Sequence, residues 1–235
     1  MTGVHKALWS WLFLVCCTWL PAHAQDVQFL PEFDANLKLN TAIRVNYQAK
    51  GDREAGDPVQ FQTGPSIEFY LKPLVKLKEV TAFDLNDAKS RFLVLDIGYL
   101  YVTAPDTPTV NRMVVAATSN FPLKGGFLIS DRNRADLDWK NGSFSWRYRN
   151  RFQVERAVPI VSYHVIPYLA SEPYYTSQYN KWSTVALYAG CLFPVGKHVQ
   201  FDSYYEHENN TGKRPNKQDN EVGLALHLYF SLEKQ

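Results

Sequence analysis

Five arginines at alternating positions, Arg132 and Arg134 followed by Arg147, Arg149 and Arg151, are the residues of this chain best equipped for chemistry. Asp136, Asp138 and Glu155 share their spacing. Desolvated guanidinium groups must be neutralised by carboxylates, which would make an interlocked set of ion pairs. Hydrated, a positive surplus would bind small anions or select them for passage, as rings of arginine do in pores. Five positive groups against three negative ones leave a surplus of two, so both uses stay open.

Other constellations are weaker. Ser162 and His164 share a parity, and a lipid-modifying hydrolase would place such a pair on its outer face beside an orienting carboxylate. No carboxylate is evident on that side, and the pair reads as part of a turn. Asp202, Glu206, His207 and Glu208 have the chemistry of metal ligands, but Asp202 and Glu206 alternate away from His207, which reads as a solvated strand end. With no nucleotide loop and no paired cysteines, neither catalysis nor a metal nor another cofactor is expected. Lys+Arg 25 against Asp+Glu 23 gives no reason to expect nucleic acid as a partner, and 46% apolar with 14% aromatic residues exclude disorder.

The arginines are positioned by a hairpin. Asn141-Gly142, the preferred pair for a tight type I′ turn, separates two runs that alternate between polar and apolar. Pairing Lys140 with Ser143 sets Asp138 opposite Ser145, Asp136 opposite Arg147, Arg134 opposite Arg149 and Arg132 opposite Arg151, all on one side. Ala135, Leu137, Trp139, Phe144, Trp146 and Tyr148 take the other. Asp131, Asn133 and Asn150 also fall on that apolar side, where they resist the pattern.

Period-two alternation runs through the rest of the chain, with about ten strands expected, and twelve possible, near 35–48, 60–77, 91–104, 110–120, 127–139, 144–156, 163–175, 182–193, 199–208 and 220–232. Pro65 and Pro73 imply a break, bulge or edge, and Glu79 to Lys89 has room for one helical turn. Turns at Pro122, Pro159 and Pro194, spaced 37 and 35 residues, fall on one rim. The Pro105 to Thr109 turn, Asn141-Gly142, Ser177 to Lys181 and Glu208 to Asn220 fall on the other. An even strand number would bring both chain ends to one rim.

At the start, basic His5 and Lys6 precede an uncharged tract, Ala7 to Leu20, and then Pro21-Ala22-His23-Ala24. Its 14 residues fall short of the roughly 20 of a spanning helix. Small residues at Ala22 and Ala24 suit a leader cleaved after 24. Removal would leave Cys191 as the single cysteine, so no internal disulfide is expected. Residues 1–24 thus read as signal peptide, 25–34 as a periplasmic N-terminal segment and 35–235 as an antiparallel up-and-down transmembrane β-barrel, an all-β fold. Period two fits equally a soluble periplasmic ligand-binding barrel with an apolar interior. Aromatic strand ends (Trp139, Phe144, Trp146, Tyr175, Trp182, Phe230) favour the membrane version, with the charged stripe in the lumen. Tyr168 and Glu172 would join the arginines there. Partners would be outer-membrane lipid, the outer-membrane assembly machinery and small anionic solutes.

Ser130-Asp131-Arg132-Asn133-Arg134, Trp146-Arg147-Tyr148-Arg149-Asn150-Arg151, Pro167 to Tyr175 and Leu228-Tyr229-Phe230 together resemble the uncharacterised proteobacterial family named domain of unknown function 2490. The resemblance covers residues 127–230. It implies an outer-membrane barrel with a cleaved leader, and it implies no reaction.

Overall fold

A computed structural model describes residues 27–53, 58–71, 84–160, 163–212 and 214–232. The leader, Pro73 and Ser162 lie outside the described residues. The chain forms β1 (Val27–Lys38), β2 (Ile43–Asp52), β3 (Gln60–Leu71), β4 (Leu93–Thr103), β5 (Val110–Leu123), β6 (Phe127–Lys140), β7 (Ser143–Arg156), β8 (Val158–Ile160), β9 (Tyr163–Thr176), β10 (Lys181–Val195), β11 (Val199–Asn210) and β12 (Lys217–Ser231). A 3-10 turn at Asp87–Ser90 precedes β4. All but β8 join one closed sheet in chain order, while β8 pairs only with β9.

Closure is by a parallel pair, β1 beside β12, with Val27 opposite Asn220 and Lys38 opposite Ser231. Every other neighbouring pair is antiparallel. Eleven strands enclose the lumen, an odd number, so the described ends lie on opposite rims and the expectation of a shared rim is corrected. We call these the N-terminal rim, with Val27 and the Asn141-Gly142 turn, and the C-terminal rim, with Ser231, Gly125 and Gly196. Residues 27–34 belong to β1 and are no separate segment before the barrel. The expected strand 35–48 is two strands joined by a turn at 39–42, closed by the Leu39 N–H donating to the Ile43 carbonyl at 3.0 Å. The other expected strands match within the described residues, with 72–77 of the expected strand 60–77 lying outside them, and the two sets of turns fall on separate rims.

The pairing of β6 with β7 follows the Asn141-Gly142 register throughout, from Lys140 opposite Ser143 to Phe127 opposite Arg156. Asn141 and Gly142 adopt φ of 49° and 78°, the left-handed values a type I′ turn requires.

Apolar side chains face outward around the whole wall. Leu224 is 42% exposed, and Ile67, Ile97, Val115 and Leu187 are exposed at the middles of their strands, whereas Arg147 and Arg149 are buried. The soluble barrel with an apolar interior is thereby reversed. Aromatic rings gather on the outside toward the N-terminal rim. Trp146 stacks on Tyr175 at 5.4 Å, Tyr175 meets Trp182 edge-on at 5.8 Å, and Trp139 lies 5.3 Å from Phe144.

Between Thr63–Tyr101 and Ser66–Gly98 the β3–β4 ladder is interrupted, because Pro65 has no N–H to give. Gly64 lets the two backbones approach there, since a Cβ on it would stand 1.9 Å from the Tyr99 carbonyl oxygen. Gly64→Ala must push β3 from β4, at a cost of about 1–3 kcal/mol. A fall in the urea midpoint of the folded barrel is the expected result; an unchanged midpoint would mean that the wall gives way freely.

Candidate functional site

All ten charged and tyrosine residues singled out in the sequence belong to the inward-facing set. Two carboxylates organise the arginines. Asp136, 0% exposed, accepts from Arg134 Nε at 2.5 Å and Arg147 Nη2 at 3.1 Å, with Arg149 Nη1 at 3.8 Å. Glu172, also 0% exposed, accepts from Arg149 Nε at 2.9 Å and Arg132 Nη2 at 3.4 Å, and lies 3.2 Å from Arg151 Nε off the N–H direction. Both acids lie behind the guanidinium groups that cover them. Tyrosine rings support the outer faces of these cations, with Arg149 4.5 Å from the Tyr174 centroid and Arg151 3.9 Å from that of Tyr188. Five guanidinium groups thus share two carboxylates, and three positive charges are unmatched within this wall.

Three of the expected members serve elsewhere. Asp138 is held by Arg112 of β5, outside the expected cluster, in a two-pronged pair (2.6 and 2.9 Å). Glu155 accepts from Lys89 Nζ at 2.8 and 2.9 Å. Tyr168, on β9 beside β7, donates to Asp202 of β11 at 3.0 Å and so reaches toward the opposite side.

That opposite side escaped the sequence reading. Glu32 and Asp34 on β1, Asp52 on β2, Asp202 and Glu206 on β11 and Glu221 on β12 line the same cavity, of about 370 Å³, as Arg132, Arg134, Arg149 and Arg151. In an eleven-strand ring β6 and β7 stand diametrically across from β1 and its neighbours, so an arginine wall faces an acidic wall. Lys50 and His227 temper the acids, His227 Nδ1 lying 2.9 Å from Asp34 Oδ2. Asp202 and Glu206 are therefore no solvated strand end. His207 points the other way, with Nδ1 2.8 Å from Asn220 Oδ1. Tyr188 bridges the walls at one side, its hydroxyl 2.6 Å from Glu206 and 3.3 Å from Glu172. The one shared parity of Asp202, Glu206 and Glu208 was the signal available in the sequence.

The segment before β4 folds into the C-terminal rim as a plug. Lys89 Nζ binds Asp84 at 2.6 Å as well as Glu155, Tyr70 donates to Asp87, Asn120 donates to the Ala88 and Arg91 carbonyls, and Gln200 reaches Asp84 at 3.3 Å. Lys38 lies 3.1 Å from Asp87. Arg44 on β2 donates to Asn86 at 2.7 Å, so six strands are tied to one short segment. Burial works against the Lys89 charge, but Asp84 and Glu155 outweigh it and hold the ammonium above its usual pKa. Lys89→Ala is expected to loosen the plug, raising protease cleavage within 84–92 while the barrel keeps its heat-modifiable migration. Equal cleavage rates would show that the other ties suffice.

Outside, the three polar residues at odds with the apolar face satisfy one another. Asn150 donates to Asp131 at 2.6 Å and to Asn133 at 3.1 Å, Asn133 donates to Asp131 at 3.3 Å, and the Tyr148 hydroxyl bonds Asn133. The register is unshifted there, so pairing among amides and carboxylate, and no bulge, explains how the group is accommodated. His164 has the inward parity, beside the outward Tyr163, which removes the outward histidine that the lipid-hydrolase reading needed. Among the described residues no group of three or more potential metal ligands clusters.

No family model matches the chain. No curated protein matches it either. Among solved structures it is similar to a bacterial polysaccharide outer membrane secretin at 8% identity and a TM-score of 0.47, over 80% of this chain and 63% of that one. The chain thus spans less than two thirds of that protein's length.

Proposed function

We propose that this chain is an outer-membrane β-barrel whose polar lumen, plugged at one rim, receives small charged solutes. The observation that carries the reading is an outer wall of exposed aliphatic and aromatic side chains, its one mid-strand carboxylate, Asp131, bonded to Asn133 and Asn150, with the arginines and the other acids inside. Such a wall in water would be an apolar patch far beyond what soluble monomers expose. In lipid it matches the hydrocarbon, and the outer aromatics match the interface. Tight turns at Gly125-Gly126 and Gly196 support a periplasmic orientation of the C-terminal rim, with its plug. The same reading keeps the chain with the family of domain of unknown function 2490, whose resemblance rests on the segments that build the arginine wall. It also makes outer-membrane lipid and the assembly machinery its partners, and assigns it no catalytic role.

The positive surplus of the hairpin alone would favour anions. The acidic wall across the cavity opposes that preference, so selectivity for anions is confined to the path beside the arginines. Fractionation tests the location: the folded chain should sediment with outer membranes and migrate faster unheated than heated on a gel. Release by osmotic shock would overturn the proposal. In planar bilayers, exchanging Arg149 and Arg151 for glutamate tests the solute path, and an unchanged reversal potential would leave a plugged structural barrel as the reading.

A further inference from the structure

We propose that the cavity between the two walls binds a small zwitterion, its carboxylate on the arginine wall and its ammonium on the acidic wall. This deepens the solute-receiving role and rests on the polar-lumen reading, but it does not depend on the membrane around the barrel. Arg134 is 8% exposed and lines the cavity, yet only its Nε is engaged, by Asp136, while its Nη2 has no hydrogen-bond partner. The Nε groups of Arg132 and Arg151 are likewise buried without a hydrogen bond. Across the cavity, Oε1 of Glu221 is a buried acceptor with none. Donors of one sign and an acceptor of the other therefore wait on facing surfaces.

A single ion satisfies one surface at the expense of the other. An anion drawn to the guanidinium groups also meets Glu32, Asp34, Asp202 and Glu206, and a cation drawn to those acids meets the unmatched arginine charge. A molecule carrying both charges aligns with the field and gains at each end. Arginine suits a carboxylate because its planar fork offers paired N–H groups, which lysine lacks. The volume, about 370 Å³, is at the small end of ligand pockets. An ω-amino acid has the required chemistry.

Calorimetric titration of the full folded chain in detergent micelles, with glycine, 4-aminobutanoate, 6-aminohexanoate, acetate and methylammonium as probes, decides the matter. At least one amino acid should bind tenfold or more tighter than acetate and methylammonium. Arg134→Lys and Glu221→Gln should each weaken it at least tenfold, with heat-modifiable migration showing that the barrel is intact. Arg151→Lys replaces the first variant if Arg134→Lys does not fold. Acetate binding as tightly as the amino acids, no probe binding at all, or full affinity in the folded variants would overturn the proposal. Release of the chain by osmotic shock would defeat the outer-membrane assignment and leave this titration untouched.

Discussion

Glu172→Gln is expected to destabilise the folded barrel by about 3–5 kcal/mol, the usual cost of removing one partner from a buried ion pair. The substitution keeps the size and one acceptor of the side chain but removes the charge that Arg132, Arg149 and Arg151 share. Asp136 cannot take over, since it already serves Arg134 and Arg147 and lies 3.8 Å from Arg149. Arg149 is buried while Arg132 and Arg151 are partly exposed, so water screens part of the loss and the lower end of that range applies. Urea unfolding in micelles provides the measurement. An unchanged midpoint would mean that the arginine wall is hydrated and held by solvent, not by its two carboxylates. Combining Glu172→Gln with Arg149→Gln should recover part of the loss, because the pair is coupled.

Ile97→Arg is expected to cost about 2–4 kcal/mol in lipid vesicles, the penalty for arginine at the midplane of a barrel's outer wall. Ile97 is 46% exposed and lies between Ile67 and Val115, with no carboxylate beside it in the ladder. Gln48→Arg provides the comparison, because Gln48 faces the lumen and bonds Glu32 at 2.8 Å, where a cation finds an acid. The yield of heat-modifiable protein should fall for the first variant and hold for the second. Equal yields would remove the outer wall from the hydrocarbon.

The arginine wall was legible because it is local. One tight turn fixes the register of β6 and β7, and alternation does the rest. The acidic wall was not, since its members lie on β1, β2, β11 and β12 and become neighbours only when the ring closes. Period two also missed the turn after β1. Leu37, Leu39, Ile43 and Val45 keep one parity through a four-residue connection that contains neither glycine nor proline, so the alternation passes through it unbroken. Leu30 and Pro31 hid the start of β1 in a similar way, one apolar residue facing inward and one proline facing out. Strand direction leaves no mark on alternation, and an odd ring with a parallel seam could not be read from it.

That seam separates the start of β1 from the end of β12 by a full strand length. Val27 and Ser231 belong to neighbouring strands yet are divided by the 12 residues of β1, roughly 40 Å of extended backbone. Reporter groups attached at these two positions would sample opposite rims of the barrel. A linker joining Val27 directly to Ser231, a short bridge in a ring with an even count, would here run along the whole height of the cylinder.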